Sequence, residues 1–286
     1  MPGPFRFGVS LLTSASAAEW RAKCRRAEGL GYDVLLVPDH LGMPAPFPAL
    51  VAAAAATERP RLGTFVLNAG FWNPVLLARE VATTAALTGG RLELGLGTGY
   101  VRAEHERAGL PFGSPRERVD QLRRTVEELR ASDGCRVPLL IGGDGDRMLR
   151  LAAEHADIVA FAGARLTPGS TVGRLAPATA RDLDERVARY ARSAADRTEP
   201  AERNLLIQTV AVTDDPRSAL GPLLARRPEL TLARALALPT VLVGTLDEVT
   251  GRVRGLRERY GISYLTVLEP YLEAFAPVRA RLADDG

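Results

Sequence analysis

The chain has 286 residues, 46% of them hydrophobic and 25% charged, with a formal net charge of +3. That composition fills a sizeable core in one large α/β domain or two small ones, and no apolar run approaches the roughly 18 residues of a membrane span. The positive charge is almost all arginine, dispersed among carboxylates, without the aromatic and basic interleaving of a nucleic-acid surface. The opening "MPGPFRFGVS" has no basic segment followed by an apolar one, so cytoplasmic localisation is expected. Cys24 and Cys135 lie far apart without metal-type spacing. With three histidines and no Cys/His cluster, the expectation is structural thiols and no metal site.

In chain order, short apolar runs alternate with longer amphipathic ones. Strands are predicted at 5–10, 33–38, 61–68, 91–97, 137–143, 157–163, 204–211 and 262–268. Helices are predicted at 16–30, 47–59, 74–87, 115–131, 146–156, 180–196 and 246–260, with helical material at 215–237 and a last helix at 270–282. Pro74 falls in the first turn of its helix, where its missing N–H costs nothing. Strict alternation implies parallel strands with helical crossovers. About eight units in a chain of this length point to a closed (β/α)8 barrel over residues 1–286 rather than an open doubly wound sheet. No Pro/Gly/Ser-rich linker divides it; the long irregular stretch at 163–179 follows a strand and reads as a lid.

In a barrel the residues just past the C-terminal strand ends form the top face, where sites are built. "LLVPDHLG" runs a buried strand into Asp39 and His40, a group able to exchange a proton near neutral pH, or else a pair of strand and turn caps. "FVLNAGFWNP" brings Asn68, small residues and the aromatics Phe71 and Trp72, a set suited to a flat heteroaromatic ligand or to packing on neighbouring helices. "GLGTGY" spaces three glycines so that a ligand can approach the backbone. An adenosylmethionine loop would need a helix directly after it near the first strand, whereas "VRAEHERAGLPFGSP" reads as loop. "LLIGGDGDR" joins strand, glycines and a helix start, a phosphate cradle to which Arg147 adds charge, while Asp144 and Asp146 oppose an anion or cap the helix. His105 reads as solvated, and His155 as a structural residue at a helix end. Glu104 is placed to reach the face of His40.

The blocks "RAEGLGYDVLLVPDHLG", "LGTFVLNAGFWNPVLLAREVATTAALTGGRLELGLGTGYVRAEHERAGLPF" and "PLLIGGDGDRMLRLAAEHADIVAFAG" resemble the luciferase-like monooxygenase superfamily, and more narrowly its branch using the deazaflavin coenzyme F420. The resemblance is dense over 5–163 and thinner beyond, through "VGTLDEVTGRVRGLRERYGISYLTV". It implies a (β/α)8 barrel with the tricyclic ring in its mouth. Asp39 would contact the ring or its ribityl chain. Phe65 and Val66 would form a bulge behind the ring, often with a non-proline cis peptide, and Asn68 would contact the ring edge. Gly97, Thr98, Gly99 and Tyr100 would line the ribityl side, and Gly142, Gly143, Ala162 and Gly163 would hold the phosphate and the start of the oligoglutamyl tail. His40 would be the proton donor or acceptor, with Glu104 orienting it or a substrate group. Relatives commonly carry an extra segment where this chain has only "SDGCR", a connection at the bottom face. The implied activity is hydride transfer between F420 and a small-molecule or modified-peptide substrate, with reduction of an activated C=C or C=N bond in secondary metabolism preferred over oxidation of an alcohol or sugar. An FMN-dependent monooxygenase using oxygen and a non-catalytic cofactor-binding barrel remain alternatives. No nucleic-acid or membrane partner is implied, and a homodimer is left open.

Overall fold

Helices begin where side chains can satisfy their orphaned first-turn N–H groups. Ser114 and Glu117 form a reciprocal capping box, as do Thr179 with Asp182 and Thr245 with Glu248. The Asn73 side chain accepts from the N–H groups of Val75 and Leu76, just ahead of Pro74.

The computed structural model describes residues 4–167, 170, 173 and 175–283. In chain order the first half comprises β1 (Arg6–Ser10), α1 (Ala17–Gly29), β2 (Val34–Val37), α2 (Pro46–Ala54), β3 (Arg61–Thr64), β4 (Leu67–Asn68), α3 (Pro74–Leu87), β5 (Leu92–Gly97), α4 (Arg102–Ala108) and α5 (Pro115–Ala131). Next come β6 (Leu139–Gly142), α6 (Asp146–His155), β7 (Ile158–Phe161), β8 (Ala164–Leu166), β9 (Leu175–Pro177), α7 (Ala180–Ser193) and β10 (Glu202–Ile207). The chain closes with β11 (Thr209–Val212), α8 (Pro216–Arg226), α9 (Leu232–Leu236), β12 (Val241–Gly244), α10 (Leu246–Tyr260), β13 (Tyr264–Leu268) and α11 (Leu272–Leu282).

Strands β1, β2, β3, β5, β6, β7, β10 and β13 pair in that order, all parallel, and β13 returns to β1 through Phe7↔Leu265. This is the expected closed (β/α)8 barrel. Two clusters of buried residues reflect it. A large one lies between strands and helices, and a smaller one inside the barrel holds Val34, Leu36, Leu140, Ile158, Ala160 and Tyr264. No helix among the described residues is long and apolar enough to cross a membrane.

Several elements differ from the sequence expectation. The strand expected at 61–68 is two pieces, β3 and β4, separated by Phe65 and Val66, whose peptide bond is cis. From Gly63 to Leu67 the chain advances four residues while its partner advances three, Glu93 to Leu96, so the strand carries a one-residue bulge. The segment after "GLGTGY", expected as loop, forms α4. At seven residues it is too short to show a helical period, and it ends on Gly109 in the left-handed region at φ 68°. Residues 241–244, not expected as a strand, form β12, which pairs with β11 beyond the eight-stranded ring. The helical material at 215–237 resolves into α8 and α9. The expected lid at 163–179 has a described stem, the antiparallel ribbon β8–β9 with Ala164 opposite Pro177; residues 168, 169, 171, 172 and 174 lie outside the described residues.

Both cysteines are buried and unbridged; Cys135 Sγ donates to the Ala78 carbonyl at 3.1 Å. Burial lowers the pKa of His155 at the end of α6.

Gly95 on β5 allows the tightest strand approach near the mouth. Thr64 Oγ1 donates to the Gly95 carbonyl at 2.7 Å and accepts from its N–H at 2.9 Å. A Cβ on Gly95 would lie 2.0 Å from the Thr64 carbonyl oxygen, a backbone atom that can yield only by moving the strand. Gly95→Ala is therefore expected to destabilise by about 3 kcal/mol, as overpacking does, measured by urea unfolding; wild-type stability would disprove this contact.

Candidate active site

Strand ends and the loops after them enclose a cavity of about 470 Å³, within the range of small-molecule sites. Its lining includes Asp39, His40, Phe65, Val66, Asn68, Gly97, Thr98, Gly99, Tyr100, Glu104, Gly142, Gly143, Ala162 and Gly163, while Phe71, Trp72 and Arg147, also considered for a ligand, are not among the lining residues. The polypeptide thus gathers at one place residues drawn from five strand ends and from α4.

The floor is apolar. Val66 lies against β5 and β6: a Cβ on Gly97 would come within 2.7 Å of Val66 Cγ2, and one on Gly142 within 3.6 Å of Cγ1. Glycine at these positions leaves the volume that Val66 fills.

On one wall His40 Nδ1 meets both carboxylate oxygens of Glu104, at 3.0 and 3.1 Å. Glu104 arrives on α4. With the carboxylate as acceptor, Nδ1 carries the hydrogen and Nε2 is left to exchange a proton. The Tyr100 ring packs edge-on to the imidazole at 5.7 Å. Burial pushes the Tyr100 phenol up, and nearby Glu104 adds to the effect.

Asp39 lines the cavity and is also tied to the protein. Its Oδ2 accepts from the Asn68 N–H and from Trp72 Nε1, both at 3.1 Å, so its described bonds hold the bulged strand and the adjoining loop. Burial raises the Asp39 pKa, against the lowering effect of the Trp72 and Asn68 hydrogen bonds. The Asn68 amide is likewise engaged, by the Gly70 N–H and by His105. His105, expected in solvent, is instead 1% exposed. Its polar flanks misled because a single buried position on a seven-residue helix leaves no apolar period.

At the far end, Gly142 and Gly143 precede α6 and Asp144 enters the lining. Arg147, expected to add charge there, pairs with Asp120 on α5, away from the lining residues. The buried cation beside Asp144 is Arg186 from α7, whose Nη2 lies 2.9 Å from Asp144 Oδ2 and which also donates to the Ala162 and Ala164 carbonyls. Asp146 pairs with Arg189 at 3.0 Å. Sequence reading passed over Ser10, Leu12, Met43, Leu206, Gln208 and Leu268 in the lining. Ser10, Leu206 and Leu268 follow from the strand-end rule that located His40, applied to β1, β10 and β13; Leu166 and Leu175 had no signal because the ribbon carrying them was not foreseen. No group of metal-ligating side chains occurs among the described residues.

A model of the luciferase-like monooxygenase family matches residues 3–263. The chain belongs to this family. Among curated relatives, a 5,10-methylenetetrahydromethanopterin reductase of Archaeoglobus fulgidus is 29% identical over 171 residues, covering 53% of this chain and 51% of the relative. An F420-dependent glucose-6-phosphate dehydrogenase of Intrasporangium calvum is 39% identical over 116 residues, covering 37% and 35%. These matches span about half the length of the relatives or less. Among solved structures, an F420-dependent secondary alcohol dehydrogenase in complex with an F420-acetone adduct superposes with a TM-score of 0.76 at 16% identity, over 96% of this chain and 98% of the other. The monooxygenase RslO1 from Streptomyces bottropensis does so at 0.74 and 20%, over 96% and 99%. At such identities the structural likeness establishes the luciferase-like barrel and nothing finer.

Burial, partly offset by Arg186, raises the Asp144 carboxyl from 3.8 to about 6. The fold then holds this proton more tightly than the unfolded chain does, so the Asp144 contribution to stability falls as pH rises from about 4 to about 6. Urea unfolding of wild type against Asp144→Asn should show the wild type losing ground across that window; a pH-independent difference would count against a raised carboxyl.

Proposed function

We propose that this luciferase-like protein is an oxidoreductase that moves a hydride between coenzyme F420 and a small organic substrate, with His40 as the proton donor or acceptor and Glu104 as its orienting base. The observation that carries this reading is the His40–Glu104 pair at 3.0 Å on the wall of the strand-end cavity. The F420-dependent relatives support the choice of cofactor.

The residues present fit a phosphate-bearing tricycle. An apolar floor at Phe65 and Val66 and close-approach glycines face the space for a flat ring, and beyond the Gly142–Gly143 turn the first turn of α6, which no side chain caps, leaves backbone N–H groups for an anion. Buried Asp144 Oδ1 has no partner among the described residues, an acceptor that when protonated becomes a donor to phosphate oxygen. When bound, the deazaflavin would supply the hydride chemistry.

The chain's own residues place the proton. Glu104 holds the Nδ1–H of His40, which orients Nε2 to give a proton to a substrate carbon or nitrogen in reduction, or to take one in oxidation. Leu12, Met43, Leu166, Leu175 and Leu268 make the remaining wall apolar and restrict water. Among the described lining residues the charged carboxylate bearers are Asp39, Glu104 and Asp144, and neither Lys nor Arg is present. That wall suits an uncharged substrate, and reduction of an activated C=C or C=N bond in a secondary metabolite or modified peptide is the preferred reaction, carried out in the cytoplasm. Segment 163–179 would act as the lid.

Fluorescence titration with F420 and with FMN tests the cofactor; saturable FMN binding without a response to F420 would replace this reading with a flavin monooxygenase. His40→Asn is expected to leave cofactor affinity within a few-fold and to cut turnover roughly 10²–10⁴-fold, as loss of a general acid or base does. Unchanged turnover removes His40 from the chemistry.

A further inference from the structure

His105 sits beside Glu104 on α4, yet it faces a different partner. Its ring lies between Phe71 at 4.9 Å and Phe112 at 5.1 Å, almost without solvent contact. A histidine in such a place is often only packing. Here the hydrogen bonds permit one arrangement. The Gly70 N–H can only donate, and it meets Asn68 Oδ1 at 3.0 Å, which fixes which end of the Asn68 amide is oxygen. The Asn68 NH2 then faces His105 Nε2 at 2.9 Å, so Nε2 must accept. The remaining nitrogen, Nδ1, must carry the hydrogen, and it meets the Pro111 carbonyl, which can only accept, at 3.0 Å. Two backbone groups of fixed polarity thus determine both the amide orientation and the histidine tautomer.

The chain closes on itself through these bonds. His40 is held by Glu104, Glu104 adjoins His105, and His105 holds Asn68. The Asn68 N–H donates to Asp39, and Asp39 adjoins His40. Gly99, at φ 68°, lies so close to Asn68 that a Cβ would come within 2.2 Å of Oδ1, so a side chain at this position would displace the amide.

We infer that His105 is a positioning residue: as the neutral Nδ1–H tautomer it locks the orientation of the cavity-lining Asn68 amide and ties it to the helix that carries Glu104. The inference rests on the reading of Asn68 as a cofactor contact and adds to it. Asn68 keeps one N–H and one oxygen lone pair beyond its protein bonds, and the lock decides which of these a ring edge meets.

His105→Phe keeps the aromatic packing and loses both hydrogen bonds, whereas His105→Gln retains an acceptor and a donor. Cofactor dissociation constants, by fluorescence titration, should rise roughly 5- to 100-fold for the Phe variant, the range for an unpaired buried amide, and return most of the way in the Gln variant. Wild-type affinity in the Phe variant, or a Gln variant no better than Phe, overturns the inference. A cofactor-free measurement separates it from the reading of function. In protein labelled with ¹⁵N-histidine, His105 should show the Nδ1–H tautomer and lose that preference in Asn68→Ala. An Nε2–H tautomer, or one unchanged by Asn68→Ala, overturns it. If wild type binds neither F420 nor FMN, the functional reading fails and the NMR result alone decides this one.

Discussion

Val66 occupies volume inside the barrel mouth that β5 yields by carrying glycine. A Cβ on Gly97 would overlap it at 2.7 Å and one on Gly95 would press it at 3.2 Å, whereas Gly142 meets it at an ordinary packing distance. The one-residue bulge that places Val66 there also resets the strand: Leu67 and Asn68 resume pairing on β5, opposite Leu96 and Gly97. A regular strand would point residue 68 to the other face. The position of Asn68, its bond to Asp39, and its reach to His105 all follow from that single extra residue, as does the floor of the cavity.

Beneath the floor the barrel interior is tiered. Val34, Leu36, Leu140, Ile158 and Ala160 form an apolar layer with Tyr264. At the N-terminal strand ends, Arg6 pairs with both Glu93 and Glu202, Arg61 pairs with Glu93 at 2.6 Å, and the Arg6 guanidinium lies 4.6 Å from the Tyr264 ring centroid. A buried ion cluster is weak evidence of net stability, because desolvation offsets much of its attraction, although removal of one member leaves its partners uncompensated. Its geometric consequence is plainer. The base is filled, and the described cavity lies at the opposite end, where the strand ends meet the loops.

The alternation of apolar runs and amphipathic helices made the barrel legible, since eight parallel strands with crossovers leave few topologies open. Strong caps such as Ser114 and Asn73 marked helix starts to the residue. The strand-end rule found His40, Glu104 and the glycine loops, and the motif resemblance supplied the expected roles of the residues around them. What stayed hidden depended on distant partners. Nothing local in "RAEHERAG" shows that His105 is buried, because its cover, Phe71, Phe112 and Asn68, comes from other segments. Likewise the charge expected from Arg147 comes instead from Arg186, because helix packing, invisible in sequence, sets Arg147 beside Asp120 and Arg186 beside Asp144. β12 escaped because four residues pairing only with β11 carry too little pattern.

The three carboxylates lining the cavity would seem to repel an anionic ligand, yet each is committed to a protein partner. Asp39 accepts two N–H bonds, Glu104 holds His40, and Asp144 faces Arg186. Asp144 is the exception in degree, for burial leaves its carboxyl near 6 and one oxygen unpartnered. Since no described lining residue is a cation, attraction for the proposed phosphate at that end would come from the uncapped start of α6 and from Arg186 behind the wall. Were the proposed phosphate to lie beside Asp144, it would favour the protonated carboxyl, because two like charges in a buried site repel, and that proton would turn the unpartnered oxygen from competitor to donor while Arg186 kept its charge behind the wall.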